Sequence, residues 1–181
     1  MSGHSHWAGI KHKKGVTDQK RGVLFSKLLA AVTIAAKGEP DPEFNPRLRT
    51  AVETAREAQV PNDNITRAIR RAADTSAVLE ELMFEAYGPG GTAILIEAIT
   101  DSRNRTVAEV KHILSERGGK WADSGSVQWA FERVSGSDGL KWQAKFPMEL
   151  SAADMEQLKN LLGAIDEHND VQEVYTNAKL E

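Results

Sequence analysis

The hydrophobic period of the chain first changes near residue 76, from a helical period to a period of two, and this change constrains the fold more than any other feature. Before that point, apolar residues recur every three to four positions, as on one face of an amphipathic helix. Beyond it, apolar and polar residues alternate, as in half-buried strands. We therefore predict helices followed by a sheet-containing segment, which is the α+β class.

The first segment predicts three helices behind an irregular arm of residues 1–16. Asn45-Pro46 is typical of a helix start, because Asn can cap the first turn and Pro fits it. The helices are expected to run from Thr17 to Gly38, from Asn45 to the Pro61 break, and from Asp63 to Ala73.

The second segment predicts a ferredoxin-like β-α-β-β-α-β sandwich with an extra N-terminal hairpin strand. The hairpin turns at Gly88–Gly91, and its second strand, Ala93–Ile99, opens the motif. The remaining elements are a helix opened by a Thr106/Glu109 capping box, middle strands at 127–131 and 140–146, a helix capped by Ser151, and a strand at 171–176. We place the domain boundary near residues 74–78, giving domains 1–75 and 76–181.

Charge is distributed unevenly between the two predicted domains. Residues 1–75 carry 13 Lys and Arg against 8 Asp and Glu, whereas residues 76–181 carry 10 against 18. Such a split indicates that the basic end contacts a polyanion. Lys and Arg release condensed counterions from nucleic acid, and Trp or His can stack on unpaired bases.

Three groups of side chains are candidates for nucleic-acid binding, each with a structural alternative. The first group lies on the arm and the first helix, where Lys20 and Lys27 share a face. Its structural alternative is a solvated helix face behind a tail. The group consists of Trp7, Lys11, His12, Lys13, Lys14, Lys20, Arg21 and Lys27. The third helix carries Arg67, Arg70 and Arg71, whose alternative partners are Asp63 and Asp74. Arg103 and Arg105 precede a helix N-terminus and bind either an anion or Asp101.

Other classes of protein fit the sequence poorly. It contains no cysteine, which excludes disulfides, a thiol nucleophile and a cysteine-ligated metal site. No run is long and apolar enough to span a bilayer, and the N-terminus is not a signal peptide. The Gly88–Gly91 loop lacks a P-loop's Lys, and no hydrolase, zincin or kinase motif occurs. We predict a cytoplasmic protein that is not an enzyme and has no cofactor or metal site.

An ordered set of segments resembles the YebC/PmpR family, which includes the mitochondrial translational activator of cytochrome c oxidase. The segments are 3–14, 20–28, 45–49, 60–65, 87–91, 103–109, 124–132 and 170–177. Two features depart from the family pattern. His6 stands where members usually carry Lys, and residues 134–139 replace a domain that is usually inserted between two strands. The resemblance thus implies a compact member, from which the insertion is either naturally missing or removed.

The resemblance implies a non-enzymatic regulator of gene expression. Some members are described as DNA-binding transcriptional regulators, and others associate with ribosomes and assist translation. We favour a translation factor that binds ribosomal or transfer RNA, because the arm is irregular and lacks a helix-turn-helix reading head. A regulator that binds double-stranded DNA is the alternative. A protein-interaction module that uses acidic residues near the hairpin is the second alternative: Glu80, Glu81, Glu85 and Glu97.

Overall fold

The computed structural model describes residues 18–74, 78–136 and 139–180. Within these ranges three α-helices precede a segment of strands with two further α-helices. The elements are α1 (Asp18–Ala35), α2 (Pro46–Glu57), α3 (Asn62–Arg71), β1 (Glu80–Tyr87), β2 (Ala93–Thr100), α4 (Arg103–Glu116), β3 (Lys120–Ala122), β4 (Phe131–Gly136), β5 (Gly139–Ala144), α5 (Ala152–Asp166) and β6 (Val171–Thr176). The predicted α+β class, with helices first, is confirmed.

The first three helices share one apolar core. It contains Val32 of α1, Leu48 and Val52 of α2, and Ile65 of α3, all buried. Asn45 caps α2 as predicted, because its side chain accepts the Leu48 N–H at 3.0 Å. The buried Thr33 hydroxyl lies 3.1 Å from the Ala68 carbonyl oxygen, and this contact ties α1 to α3.

The four-stranded sheet has the order β3-β1-β2-β6, and all neighbouring strands are antiparallel. The helices α4 and α5 cover one face, where Phe84, Ile96, Val110 and Leu161 are buried together. The strand β2 lies between β1 and β6 and is buried on both faces, so it anchors the second domain. This order matches a ferredoxin-like sheet in which β1 takes the inner position of a middle strand.

The predicted middle strands do not belong to this sheet. Among the described residues, strands β4 and β5 pair only with each other and form a separate hairpin. The positions assigned to them are taken by β1, which was predicted as an extra strand, and by β3, which was not predicted. Strand β3 has only three residues, so it is too short to show a period of two.

The β4–β5 hairpin packs on the sheet face opposite to the helices. Phe131 and Trp142 are buried there against Leu95 and Tyr175. The Trp142 indole N–H donates to Glu97 Oε1 at 3.0 Å, and the Arg133 guanidinium lies 4.4 Å from the Trp142 ring centre. Burial raises the pKa of Glu97, and the hydrogen bond from Trp142 offsets part of that effect.

A buried carboxylate in β1 shapes the loop before this hairpin. Glu85 accepts the backbone N–H groups of Gly125 at 2.6 Å, Val127 at 2.7 Å and Gln128 at 3.0 Å. These bonds turn the chain towards β1, so residues 128–130 form a short 3₁₀ helix. The strand predicted from Val127 was therefore wrong over residues 127–130, and β4 begins at Phe131.

The start of α4 also differs from the prediction. The helix begins at Arg103, with Ser102 as its N-cap residue, so Thr106 lies inside the first turn. Glu109 does not complete a capping box and instead contacts His168. By contrast, Ser151 caps α5 as predicted by accepting the Asp154 N–H at 3.1 Å.

We expect Glu85→Gln to lower the free energy of unfolding by about 2–3 kcal/mol, because an amide offers one acceptor oxygen where the carboxylate accepts three backbone N–H groups, one of them buried. Urea unfolding followed by circular dichroism measures this loss. Glu53→Gln on the exposed side of α2 is the control and should change stability by less than about 0.5 kcal/mol. Equal stability of the two variants would contradict the role assigned to Glu85.

Candidate nucleic-acid interface

The structure describes only part of the predicted basic surface. Five of the predicted contacts lie outside the described residues: Trp7, Lys11, His12, Lys13 and Lys14. Their role therefore stays a prediction. The described candidates lie on α1, α3 and α4, and the structure separates them by their partners.

The lysines of α1 face the second domain. The Lys27 ammonium donates to the main-chain carbonyl of Asp166, the last residue of α5, and lies 4.0 Å from its Oδ1. Both side chains are only 10% exposed. A cation is favoured at this position because the last carbonyl groups of a helix carry partial negative charge. Lys27 was predicted as a phosphate contact, and this prediction is corrected because its ammonium is buried between the domains.

Lys20 lies on the same side of α1 but remains largely exposed. Its ammonium lies 3.3 Å from Glu167 Oε1, one residue beyond α5. The predicted shared face of Lys20 and Lys27 is therefore present, yet it points at the acidic end of α5. Arg21 is exposed at the start of α1.

The arginines of α4 are neutralised by acidic neighbours. Arg103 lies 3.7 Å from Glu80. Arg105 lies 2.8 Å from Asp170 and 3.1 Å from Asp101. Arg105 thus shows the predicted alternative, pairing with Asp101, whereas Arg103 pairs with Glu80 instead. Because both arginines have acidic partners, the predicted anion site at the start of α4 is corrected.

Asp170 is the centre of the network that links α4 to the α5–β6 loop. Burial raises the pKa of its carboxyl, but the hydrogen bonds from Thr106 at 2.7 Å and Arg105 at 2.8 Å outweigh burial and lower the pKa below its ordinary value. Asp170 in turn raises the pKa of Arg105, mainly through the same hydrogen bond. The network is thus built to hold an ionised carboxylate.

His168 completes this network. Its Nε2 lies 2.7 Å from Glu109 Oε2, and its Nδ1 accepts the Asp170 N–H at 3.1 Å. Donor atoms of Glu109, His168 and Asp170 lie within 4.8 Å of one another, which is close enough to hold a metal ion. Each of these donor groups already has a protein partner, however, and the positively charged Arg105 guanidinium lies beside the Asp170 carboxylate. The arrangement therefore serves the fold.

The arginines of α3 differ from all of these. Arg67, Arg70 and Arg71 are exposed and occupy one side of the helix. Arg67 has a long contact of 3.4 Å to the Asn64 amide oxygen. Within the described ranges, no hydrogen bond or ion pair engages the side chain of Arg70 or Arg71. Their predicted alternative, pairing with Asp63 and Asp74, is not observed there. We call these three side chains the α3 arginine patch.

Comparison with known proteins identifies the family. The profile of the TACO1/YebC protein N-terminal domain matches residues 5–75, and that of the TACO1/YebC second and third domain matches residues 79–137. The chain therefore belongs to the TACO1/YebC family, which confirms the resemblance found in its motifs.

Individual relatives agree with this assignment. A "probable transcriptional regulatory protein" of Chloroherpeton thalassium is 51% identical over 88% of this chain and 66% of its own length. One from Petrotoga mobilis is 48% identical over 97% of this chain and 70% of its own length. The chain thus spans about two thirds of the length of the curated relatives it matches.

A solved structure shows the same fold. It is the crystal structure of a conserved hypothetical protein from Aquifex aeolicus, which is 33% identical in sequence. The two chains superpose with a TM-score of 0.86 over 95% of this chain and 96% of the other.

In the described part of this chain, no helix is both long and apolar enough to cross a membrane.

We expect Lys27→Met to lower the free energy of unfolding by about 3 kcal/mol, because the variant leaves a buried acidic helix end without its cation. Chemical unfolding of the whole chain measures the effect. Lys20→Met removes an exposed pair with the same helix end and should cost less than about 1 kcal/mol. A loss of similar size in both variants would show that burial of Lys27 contributes nothing.

We expect Asp170→Asn to flatten the acid limb of the stability curve. The folded pKa of Asp170 lies below the ordinary value of 3.8, so its contribution to stability is complete above about pH 5 and is lost progressively as the pH falls further. At pH 7 the variant should lose about 1–2 kcal/mol of stability, since charged hydrogen bonds are removed. Unfolding measured from pH 2 to 7 tests both effects.

Asp101→Asn is the matched control for Asp170→Asn, because Asp101 contacts the same arginine from an exposed position. Its acid limb should follow that of the parent chain. If Asp170→Asn also follows the parent below pH 4, the network does not stabilise an ionised carboxylate.

Proposed function

We propose that this chain is a nucleic-acid-binding regulator of gene expression that acts without catalysis in the cytoplasm. Its relatives are named probable transcriptional regulatory proteins, which supports a role in gene expression. The observation that carries nucleic-acid binding is the α3 arginine patch. Exposed guanidinium groups without acidic partners can contact phosphate oxygens directly.

The contrast with three arginines that pair with acidic residues strengthens this argument. Arg47, Arg103 and Arg105 each contact a carboxylate, so a phosphate would have to displace that partner. Arg70 and Arg71 require no such exchange within the described residues. The patch also sits in the domain with excess positive charge, where the predicted arm contacts lie.

We favour RNA, in particular ribosomal or transfer RNA on the ribosome, over duplex DNA. The basic arm carries Trp7 and His12, which suit unpaired bases, and α3 offers arginines rather than a set of base-reading side chains. Binding to double-stranded DNA remains the alternative, because the relatives are named for transcription.

The third candidate, a protein-interaction module, loses part of its basis. The acidic residues assigned to such a surface already have partners inside the protein. Glu80 and Glu81 contact Arg103 and Arg47, Glu85 is buried on backbone N–H groups, and Glu97 accepts from Trp142.

The double variant Arg70→Gln/Arg71→Gln should bind ribosomes and RNA more weakly at every salt concentration. If both side chains contact phosphates, the slope of log K against log[salt] should become shallower by about 1.4 on single strands and about 1.8 on duplex. Co-sedimentation with ribosomes and fluorescence anisotropy with labelled RNA and promoter duplex, each across a KCl series, measure these changes.

The control is Arg47→Gln/Arg103→Gln, which removes the same charge from two side chains that are paired with glutamates. It should leave the salt slope nearly unchanged. Equal weakening in both double variants would mean that only net charge matters. Sequence-dependent retention on duplex DNA without ribosome co-sedimentation would replace RNA by DNA as the target.

A further inference from the structure

A cluster of exposed aromatic rings lies beside the β4–β5 hairpin, far along the chain from the basic domain. Trp129 is 63% exposed and Phe146 is 57% exposed. Their ring centres are 5.7 Å apart with a tilt of 47°. Two large neighbouring rings exposed to water indicate a site of interaction, because exposed aromatic clusters commonly mark such sites.

Two rings of this surface, Trp129 and Tyr87, are bonded to the loop before the hairpin. The Trp129 indole N–H donates to the Ser126 carbonyl oxygen at 2.8 Å, and the Tyr87 hydroxyl contacts the same oxygen at 3.4 Å. The backbone on either side of Ser126 is fixed by the buried Glu85 carboxylate. The Trp129 ring is therefore oriented before any ligand arrives, which lowers the entropic cost of binding.

Two lysines flank the rings. The Lys145 ammonium lies 5.9 Å from the centre of the Phe146 ring, and Lys120 pairs directly with Tyr87 across the β1–β3 ladder. Both lysines are exposed, and neither forms an ion pair with another residue in the described part of the chain. Positive charge beside exposed rings is unusual in a domain that is acidic overall.

We propose that Tyr87, Trp129 and Phe146 form a stacking platform for unpaired nucleobases, with Lys120 and Lys145 contacting the adjoining phosphates. Proteins that bind single strands without strong sequence preference combine these two features, aromatic rings and a positive track. A protein partner is the less suitable occupant. The next exposed apolar side chain of the hairpin, Leu140, lies at its distal end, so the rings do not extend into a continuous apolar surface.

The platform deepens the proposed function and rests on it, because it supplies a second contact for the same nucleic acid. The two contacts differ in what they recognise. The α3 arginine patch responds to phosphate charge in any strand, whereas the platform requires bases that are free to unstack. It therefore favours single-stranded over duplex targets.

The test compares a short single-stranded RNA with a backbone of equal length and charge that lacks bases, and with a duplex. We expect Trp129→Ala and Phe146→Ala each to weaken binding of the single strand about tenfold. Binding of the base-free strand and of the duplex should change less than twofold. Trp129→Phe loses the bond to Ser126 but keeps an aromatic ring, so it should retain most of the affinity.

Phe44→Ala is the matched control, because Phe44 is 75% exposed in the first domain, away from the platform. It should bind every probe as the parent chain does. Circular dichroism and unfolding of the variants show whether the fold is intact. If Trp129→Ala proves unstable, Trp129→Phe and Phe146→Ala still separate stacking from structure.

The outcomes distinguish the two proposals. If the parent binds none of the probes and no ribosomes, the proposed function and the platform are both overturned. If the parent binds and Arg70→Gln/Arg71→Gln weakens it while Trp129→Ala does not, only the platform is overturned. A platform that instead mediates self-association would appear as an oligomer in sedimentation velocity that Trp129→Ala dissociates, and this result also overturns base stacking.

Discussion

The burial of Lys27 at the end of α5 is the contact on which the arrangement of the molecule depends. It joins an ammonium of the first domain to a helix end of the second, and its exclusion from water makes it costly to break. On the same helix as Lys27, the Thr33 hydroxyl bonds to the Ala68 carbonyl of α3 and so links α3 to α1. The position of the α3 arginine patch relative to the sheet thus follows from a contact made at the other end of the helical domain.

Charge along the chain and charge available at the surface are therefore different quantities. The sequence places an excess of cations in the first domain, but several of them are used to attach that domain to acidic groups of the second. Lys20, Lys27 and Arg47 all point at carboxylates or carbonyls across the domain boundary. The charge that remains available to a polyanion is decided by three-dimensional pairing, and the three exposed arginines of α3 keep theirs without an acidic partner among the described residues.

Local signals predicted most of the elements, but they did not predict long-range pairing. Asn45 and Ser151 cap helices through bonds to residues three positions away, so their motifs are complete within a few residues. Alternation identified β4 and β5 as strands, but a period of two does not say which sheet a strand joins. The pairing of Lys27 with Asp166 spans 139 positions, and no local pattern connects the two residues.

The hairpin shows how one fold can accommodate chains of different length. The hairpin is attached to the sheet at its base, where Phe131 and Trp142 are buried and the Trp142 indole N–H donates to Glu97. Its tip, where Gly136 faces Gly139, makes none of these contacts. An inserted domain whose ends are close together can join there without disturbing the sheet, since the anchoring residues precede and follow it. Direct closure of β4 onto β5 is therefore compatible with the same four-stranded sheet and with the aromatic platform beside it.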